Sequence, residues 1–200
     1  MPAAERYGLM TNIDRWVIGH LIERLTQDAH ACDGTTSYWI NLSGMSISDK
    51  NFLVFLKDII KQANLPSNVL NFEITETYFV SNMNVAKNMI HELTKLGCQF
   101  SLDDFGSGMS SFGYLKQLPI DWIKIDGMFV RDILDDEVNM IFVKNIIELA
   151  KAMGKKTVAE HVENQEILSK VKEFGVSYAQ GYELGRPEPL FSESSTTLEK

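Results

Sequence analysis

Cys98-Gln99-Phe100-Ser101-Leu102-Asp103-Asp104-Phe105-Gly106-Ser107-Gly108 is the stretch on which the fold turns. An apolar run reaches two adjacent carboxylates and then a Gly/Ser loop, as expected of a buried strand that carries polar groups to one edge of a sheet. On its N-terminal side the pattern predicts a strand over 37–42 containing Asn41, a helix over 48–63, and a strand over 69–74 containing Glu73. Val85, Met89, Leu93 and Leu96 then mark a helix at 3.6-residue spacing. On its C-terminal side come a short helix near 110–117 stopped by Pro119, and a strand over 120–125 carrying Lys124. A helix over 139–153 closed by Gly154, a strand over 156–159 before Glu160, a helix over 164–174 and a strand over 176–179 before Gln180 complete the series. Ahead of the first strand, Ile13, Trp16, Val17, Leu21 and Leu25 form a helical stripe with Asn12 as its expected cap.

Strands that alternate with helices of this length imply βα units and a mainly parallel α/β sheet. Six strands are counted, and a (β/α) barrel has eight. A six-stranded open sheet is the rival architecture, and element order alone does not separate the two.

Composition narrows the function. The 200 residues carry a formal net charge of −8 without a Lys/Arg cluster, which argues against duplex nucleic acid as a partner. Nothing in the chain reads as a membrane span or a secretory signal. Cys32 and Cys98 match no metal or redox spacing and suit free thiols in the cytoplasm. Residues 1–190 read as one domain, and the Ser/Thr-rich 191–200 as a mobile tail.

The polar residues at the strand ends carry the chemistry. In a parallel barrel those ends converge on one face, where the active sites of that fold are built. Asn41, Glu73, Asp103, Asp104 and Glu160 are hard oxygen donors. Packed together, the carboxylates would repel one another unless protonated or neutralised, and oxygen-rich sites favour Mg²⁺ or Mn²⁺ over Zn²⁺. Two such cations a few ångströms apart are a recurrent means of activating water against a phosphoryl group. Lys124 at a barrel-strand end could instead form a Schiff base, but neighbouring carboxylates raise a lysine's pKa, the opposite of what that chemistry needs. No phosphate-binding Gly-rich loop with its lysine and no Ser-His-Asp arrangement is present.

Asn41-Leu42-Ser43, Glu73-Ile74-Thr75-Glu76, Asp103-Asp104-Phe105-Gly106-Ser107-Gly108, Lys124-Ile125-Asp126, Ala159-Glu160-His161-Val162-Glu163 and Gln180-Gly181-Tyr182 follow the order and approximate spacing of EAL domains. The chain resembles that family of cyclic di-GMP phosphodiesterases from residue 2 to about 189. The resemblance implies a modified TIM barrel, with about six of its eight strands in this chain, and hydrolysis of cyclic di-GMP to linear pGpG. It casts Asn41, Glu73, Asp103 and Asp104 as ligands to Mg²⁺ or Mn²⁺, Glu160 as a ligand or general base, and Lys124 as the catalytic lysine beside the attacking water. Gln180 would support the site, Glu76 would anchor the loop containing Gly106 and Gly108, and Glu163 is the second acid of its motif. A homodimer through the region after Asp103-Asp104 and upstream sensor or GGDEF domains are also implied.

The sequence departs from the family in three places. Glu-Ala-Leu does not occur, and with it go a ligand glutamate and a substrate-binding arginine. His161 stands where the family reads Gly, and Met109 and Phe112 stand where Tyr and Leu are usual. A non-hydrolytic cyclic di-GMP receptor is therefore the alternative function.

Overall fold

A computed structural model describes residues 2–28, 32, 35–107, 115–116 and 118–190. The expected helix near 110–117, Gly108 and the tail 191–200 lie wholly or largely outside the described residues. Six strands form one sheet: β1 (Tyr38–Asn41), β2 (Leu70–Thr75), β3 (Gln99–Phe105), β4 (Trp122–Ile125), β5 (Lys156–Ala159) and β6 (Tyr178–Ala179). Every neighbouring pair is parallel, and the order across the sheet is the order along the chain.

That order decides the architecture. A parallel crossover is right-handed, so connections that always step the same way place their helices on one face. A doubly wound open sheet needs a reversal of strand order, and there is none here. The free inner face curls. In a flat sheet β1 and β4 would lie roughly 14 Å apart, three strand spacings. Yet Trp39 of β1 meets Trp122 of β4 at 5.0 Å between ring centroids, and Trp122 meets Tyr178 of β6 at 5.1 Å. The six strands form a half-barrel of the TIM type.

The helices are α1 (Pro2–Arg6), α2 (Met10–Gln27), α3 (Gly44–Ser48), α4 (Lys50–Ala63), α5 (Glu76–Ser81), α6 (Met83–Thr94), α7 (Gly127–Val130), α8 (Glu137–Ala152) and α9 (Gln165–Glu173). The outer face of the sheet supplies Phe72, Ile74, Phe100, Leu102, Ile123 and Ile125, all buried. Against it the helices bury Phe52, Leu56 and Ile60 of α4, Met89, Ile90 and Leu93 of α6, and Val143, Ile146 and Ile147 of α8. Caps set the starts: Asp49 accepts from Asn51 N, Asp136 from Val138 N and Asn139 N, and Asn164 from Ile167 N.

Several boundaries differ from the sequence reading. Helix α2 begins at Met10, so Asn12 lies within its first turn and does not cap it. The helix expected over 48–63 is interrupted at Asp49, which ends α3 and caps α4. Strands β4 and β6 start two residues later than expected. Helices α1, α3, α5 and α7 are too short to show a periodicity and were not anticipated.

Candidate active site

Strand register places the polar residues. Asn41 lies opposite Glu73, Glu73 opposite Ser101, and Ser101 opposite Trp122. Counting in twos from these pairs puts Asn41, Glu73, Asp103, Lys124, Glu160 and Gln180 on the concave face. They do not all end their strands. Glu73 and Asp103 lie two residues before the ends of β2 and β3, and Lys124 one before the end of β4, because pairing continues past them.

Adjacent residues of a regular strand point to opposite faces, so Asp103 and Asp104 should not share a site. A register shift between Leu102 and Phe105 on β3, with Asp104 at φ 53°, removes that constraint. Oxygens of Asp103, Asp104 and Glu160 come within 4.8 Å of one another as a result.

Lys124 occupies the centre. Its side chain is 95% buried, and Nζ donates to Asp103 Oδ1 at 2.7 Å. Nζ also lies 2.8 Å from Glu160 Oε1 and 3.0 Å from Glu73 Oε1. Burial works against the ammonium, but Glu73, Asp103 and Glu160 outweigh it and hold the lysine above its ordinary pKa range. The Schiff-base reading loses its basis here. Burial raises the carboxyls of Glu73 and Glu160 above the usual range despite Lys124. Asp104 is raised by burial and by Asp103 and Asp126, with Lys124 and then His161 opposing. One lysine against four carboxylates leaves excess negative charge, which suits a divalent cation.

The loop after β3 is tied from below. Glu76, fully buried at the start of α5, accepts from Gly106 N at 2.9 Å. Gly106 has φ 105°, and a Cβ there would come 2.6 Å from Phe129 and 2.8 Å from Phe142, so both conformation and space require glycine. Gln180 joins β5 and β6 through its backbone, its N donating to Ala159 O and its O accepting from Val162 N. It lines a cleft of about 320 Å³ with Glu160, His161, Glu163, Arg131 and Tyr182. Glu163 is not brought into the carboxylate cluster: it pairs with Arg131 at 3.6 Å, both half-exposed. His161 lies against Gly127 in a left-handed conformation, φ 53°, that usually favours glycine or Asn/Asp. The expected contribution of Gly108 lies outside the described residues.

Two polar contributors were given no role in the sequence reading. Asp126 caps α7 through Met128 N and bears on Asp104. Asp14 on α2 is buried and accepts from Ser43 N and Ser46 Oγ, beside the turn that follows Asn41. A buried carboxylate on a helix's apolar face was the available signal for Asp14.

Buried acids around one lysine, at the C-terminal end of a parallel half-barrel, define a class of protein with an acidic site able to hold a metal ion. The chain belongs to the EAL domain family, whose profile matches residues 1–187. It is 42% identical over 193 residues to the cyclic di-GMP phosphodiesterase PdeB of Shewanella oneidensis, covering 96% of this chain and 22% of PdeB. The solved PaMucR phosphodiesterase in complex with c-di-GMP superposes with a TM-score of 0.88 at 28% identity, covering 94% of this chain and 76% of that one. The EAL domain of FimX from Pseudomonas aeruginosa bound to c-di-GMP gives a TM-score of 0.84 at 34% identity, with 93% and 74% covered. The chain thus spans about a quarter of its curated relatives' length.

Proposed function

We propose that this chain binds cyclic di-GMP at the C-terminal end of its strands and supplies the machinery that hydrolyses one phosphodiester to give linear pGpG. The observation that carries the reading is Lys124 held among Glu73, Asp103 and Glu160, with Asp104 alongside, in an EAL-family chain. Relatives named cyclic di-GMP phosphodiesterases support it.

The donor set is all oxygen and strongly acidic, which fits Mg²⁺ or Mn²⁺. Glu73, Asp103, Asp104 and Glu160, with the amide of Asn41, would hold one or two such cations. Such a cation, when bound, would acidify water and offset the charge that develops on the phosphoryl oxygens. Lys124 stays charged and carries only donors. Its role toward a phosphodiester is therefore to hold a non-bridging oxygen or the attacking water, not to take a proton. Glu160, 2.8 Å from Lys124 Nζ, would accept that proton in this reading.

The test is incubation with cyclic di-GMP and Mn²⁺ or Mg²⁺, followed by separation of the products. pGpG formed with metal, and lost with EDTA or Asp103→Asn, is the expected result. Binding without turnover would make the domain a receptor instead, and full turnover in EDTA would sink the metal-dependent reading.

Self-association through the region after Asp103-Asp104 also belongs to this reading. Met128, Val138 and Ile141 are exposed beside the Phe129–Phe142 pair that covers Gly106. Val138→Lys with Ile141→Lys should shift the protein to monomer in sedimentation. No described helix is long and apolar enough to cross a membrane. The buried thiol of Cys98 suits a cytoplasmic location. Further sensor or GGDEF domains would accompany it in a longer protein.

A further inference from the structure

We infer that Asp14 is a positioning residue for the site: from α2 it fixes the turn after β1 and thereby the amide of Asn41. The inference rests on Asn41 being a cation ligand, as proposed above.

Among the described residues β1 pairs only with β2, so its far side receives no ladder bonds. Among the described residues Asn41, the last of β1, makes no side-chain hydrogen bond, so the backbone that carries it sets where its amide lies. Two consecutive bonds hold that backbone. Leu42 N donates to Glu73 O at 2.9 Å, which couples the turn to a carboxylate strand of the site. Ser43 N donates to Asp14 Oδ2 at 3.0 Å.

The second bond is built with care. Asp14 is only 6% exposed, and the same oxygen accepts from Ser46 Oγ at 2.6 Å. Ser46 is fully buried and is bonded in turn to Ser43 Oγ at 3.0 Å. A buried carboxylate costs stability unless it is well bonded, so one that serves a two-residue turn is tied closely to that turn. From the other side, Tyr78 of α5 covers Gly44, where a Cβ would meet its ring at 2.4 Å, and its hydroxyl lies 2.7 Å from Ser48 Oγ. The turn is gripped between α2 and α5. A ligand held on an edge strand needs such support, and partners of this kind typically change metal affinity about 10- to 100-fold.

The experiment measures Mn²⁺ binding by titration calorimetry and unfolding temperature by circular dichroism, using Asp14→Ala, Asp14→Asn, Asn41→Ala and the Asp14→Ala/Asn41→Ala double variant. Ser46→Ala, which keeps the Ser43 N bond to Asp14 but loses the Ser46 Oγ bonds to Asp14 and Ser43, is the milder probe should Asp14→Ala fail to fold, with a smaller loss of Mn²⁺ affinity expected. The expected result is a loss of about tenfold in Mn²⁺ affinity for Asp14→Ala, a loss at least as large for Asn41→Ala, and a double variant no weaker than Asn41→Ala. Additive losses would show that Asp14 does not act through Asn41. A lowered unfolding temperature with unchanged Mn²⁺ affinity would reduce Asp14 to a fold-stabilising residue. Asp103→Asn separates the two readings. If neither it nor Asn41→Ala weakens Mn²⁺ binding, the cation site itself fails and the inference with it; if Asp103→Asn weakens binding and Asp14→Ala does not, only the inference is overturned.

Discussion

The two ends of the concave face differ in kind although the same strands build both. At the C-terminal end Glu73, Asp103 and Glu160 surround the Lys124 ammonium, and each of these side chains is largely removed from water. At the N-terminal end Trp39, Trp122 and Tyr178 stack edge to face across the curl, with Lys156 Nζ 4.6 Å from the Trp122 ring. The charged end is held by interactions that would repel without a cation. The aromatic end is held by contacts that need nothing further. One sheet face thus combines an electrostatically loaded end, poised to bind, with an aromatic end that packs across the curl.

Breaking the charged end should have the larger consequences. Asp103→Asn should lower cyclic di-GMP hydrolysis by about 100-fold or more, since it removes the charge of a proposed ligand and turns its ion pair with Lys124 into a neutral hydrogen bond. Product chromatography in Mn²⁺ checks this, and a loss below threefold would contradict the assignment. Lys124→Ala should lower kcat far more than it raises KM. In EDTA it should also destabilise the fold by about 3–5 kcal/mol, because buried carboxylates then lose their counter-charge. Urea unfolding with and without Mn²⁺ reads the second effect, and Mn²⁺ should restore much of the loss by binding only the folded state.

The aromatic end should respond through stability alone. Trp122→Ala should cost about 3–5 kcal/mol and leave Mn²⁺ affinity of the folded protein within about twofold. Trp122→Phe should cost less, about 1–2 kcal/mol, since the indole Nε1–H is buried without a hydrogen-bond partner and nothing is lost with it. A Phe variant as damaging as the Ala variant would show that this N–H has an acceptor. The smallest expected effect lies behind both ends, on the approach to β3. Burial pushes the Cys98 thiol up to about 12, so it should react with a thiol reagent only on unfolding. Labelling of the native protein at Cys98 would mean that the strand opens.

Much of this was legible beforehand, for a local reason. The apolar spacing of Phe52, Leu56 and Ile60, or of Met89 and Leu93, repeats over a few residues and shows in any window that covers it. Residue type at the strand ends is equally local, so Asn41, Glu73, Asp103, Asp104, Lys124 and Glu160 stood out. Glu163 was grouped with them as the second acid of its motif, but three further residues past Glu160 carry it out to Arg131. The single-turn helices were not legible, since a helix such as Gly44–Ser48 is set by its cap and by Asp14 and not by a periodic stripe.

By itself, then, the sequence determined the alternation of elements, the apolar faces and the chemical character of the strand ends, all of which depend on neighbours within a turn or a strand. The tertiary structure alone decided that the sheet curls, that the bulge at Asp104 lets two adjacent acids share one site, and that Lys124 stands among three carboxylates. It also decided that Asp14 reaches Ser43 across 29 positions. These outcomes rest on register and handedness, which are settled between segments tens of residues apart and leave no periodic trace in either one.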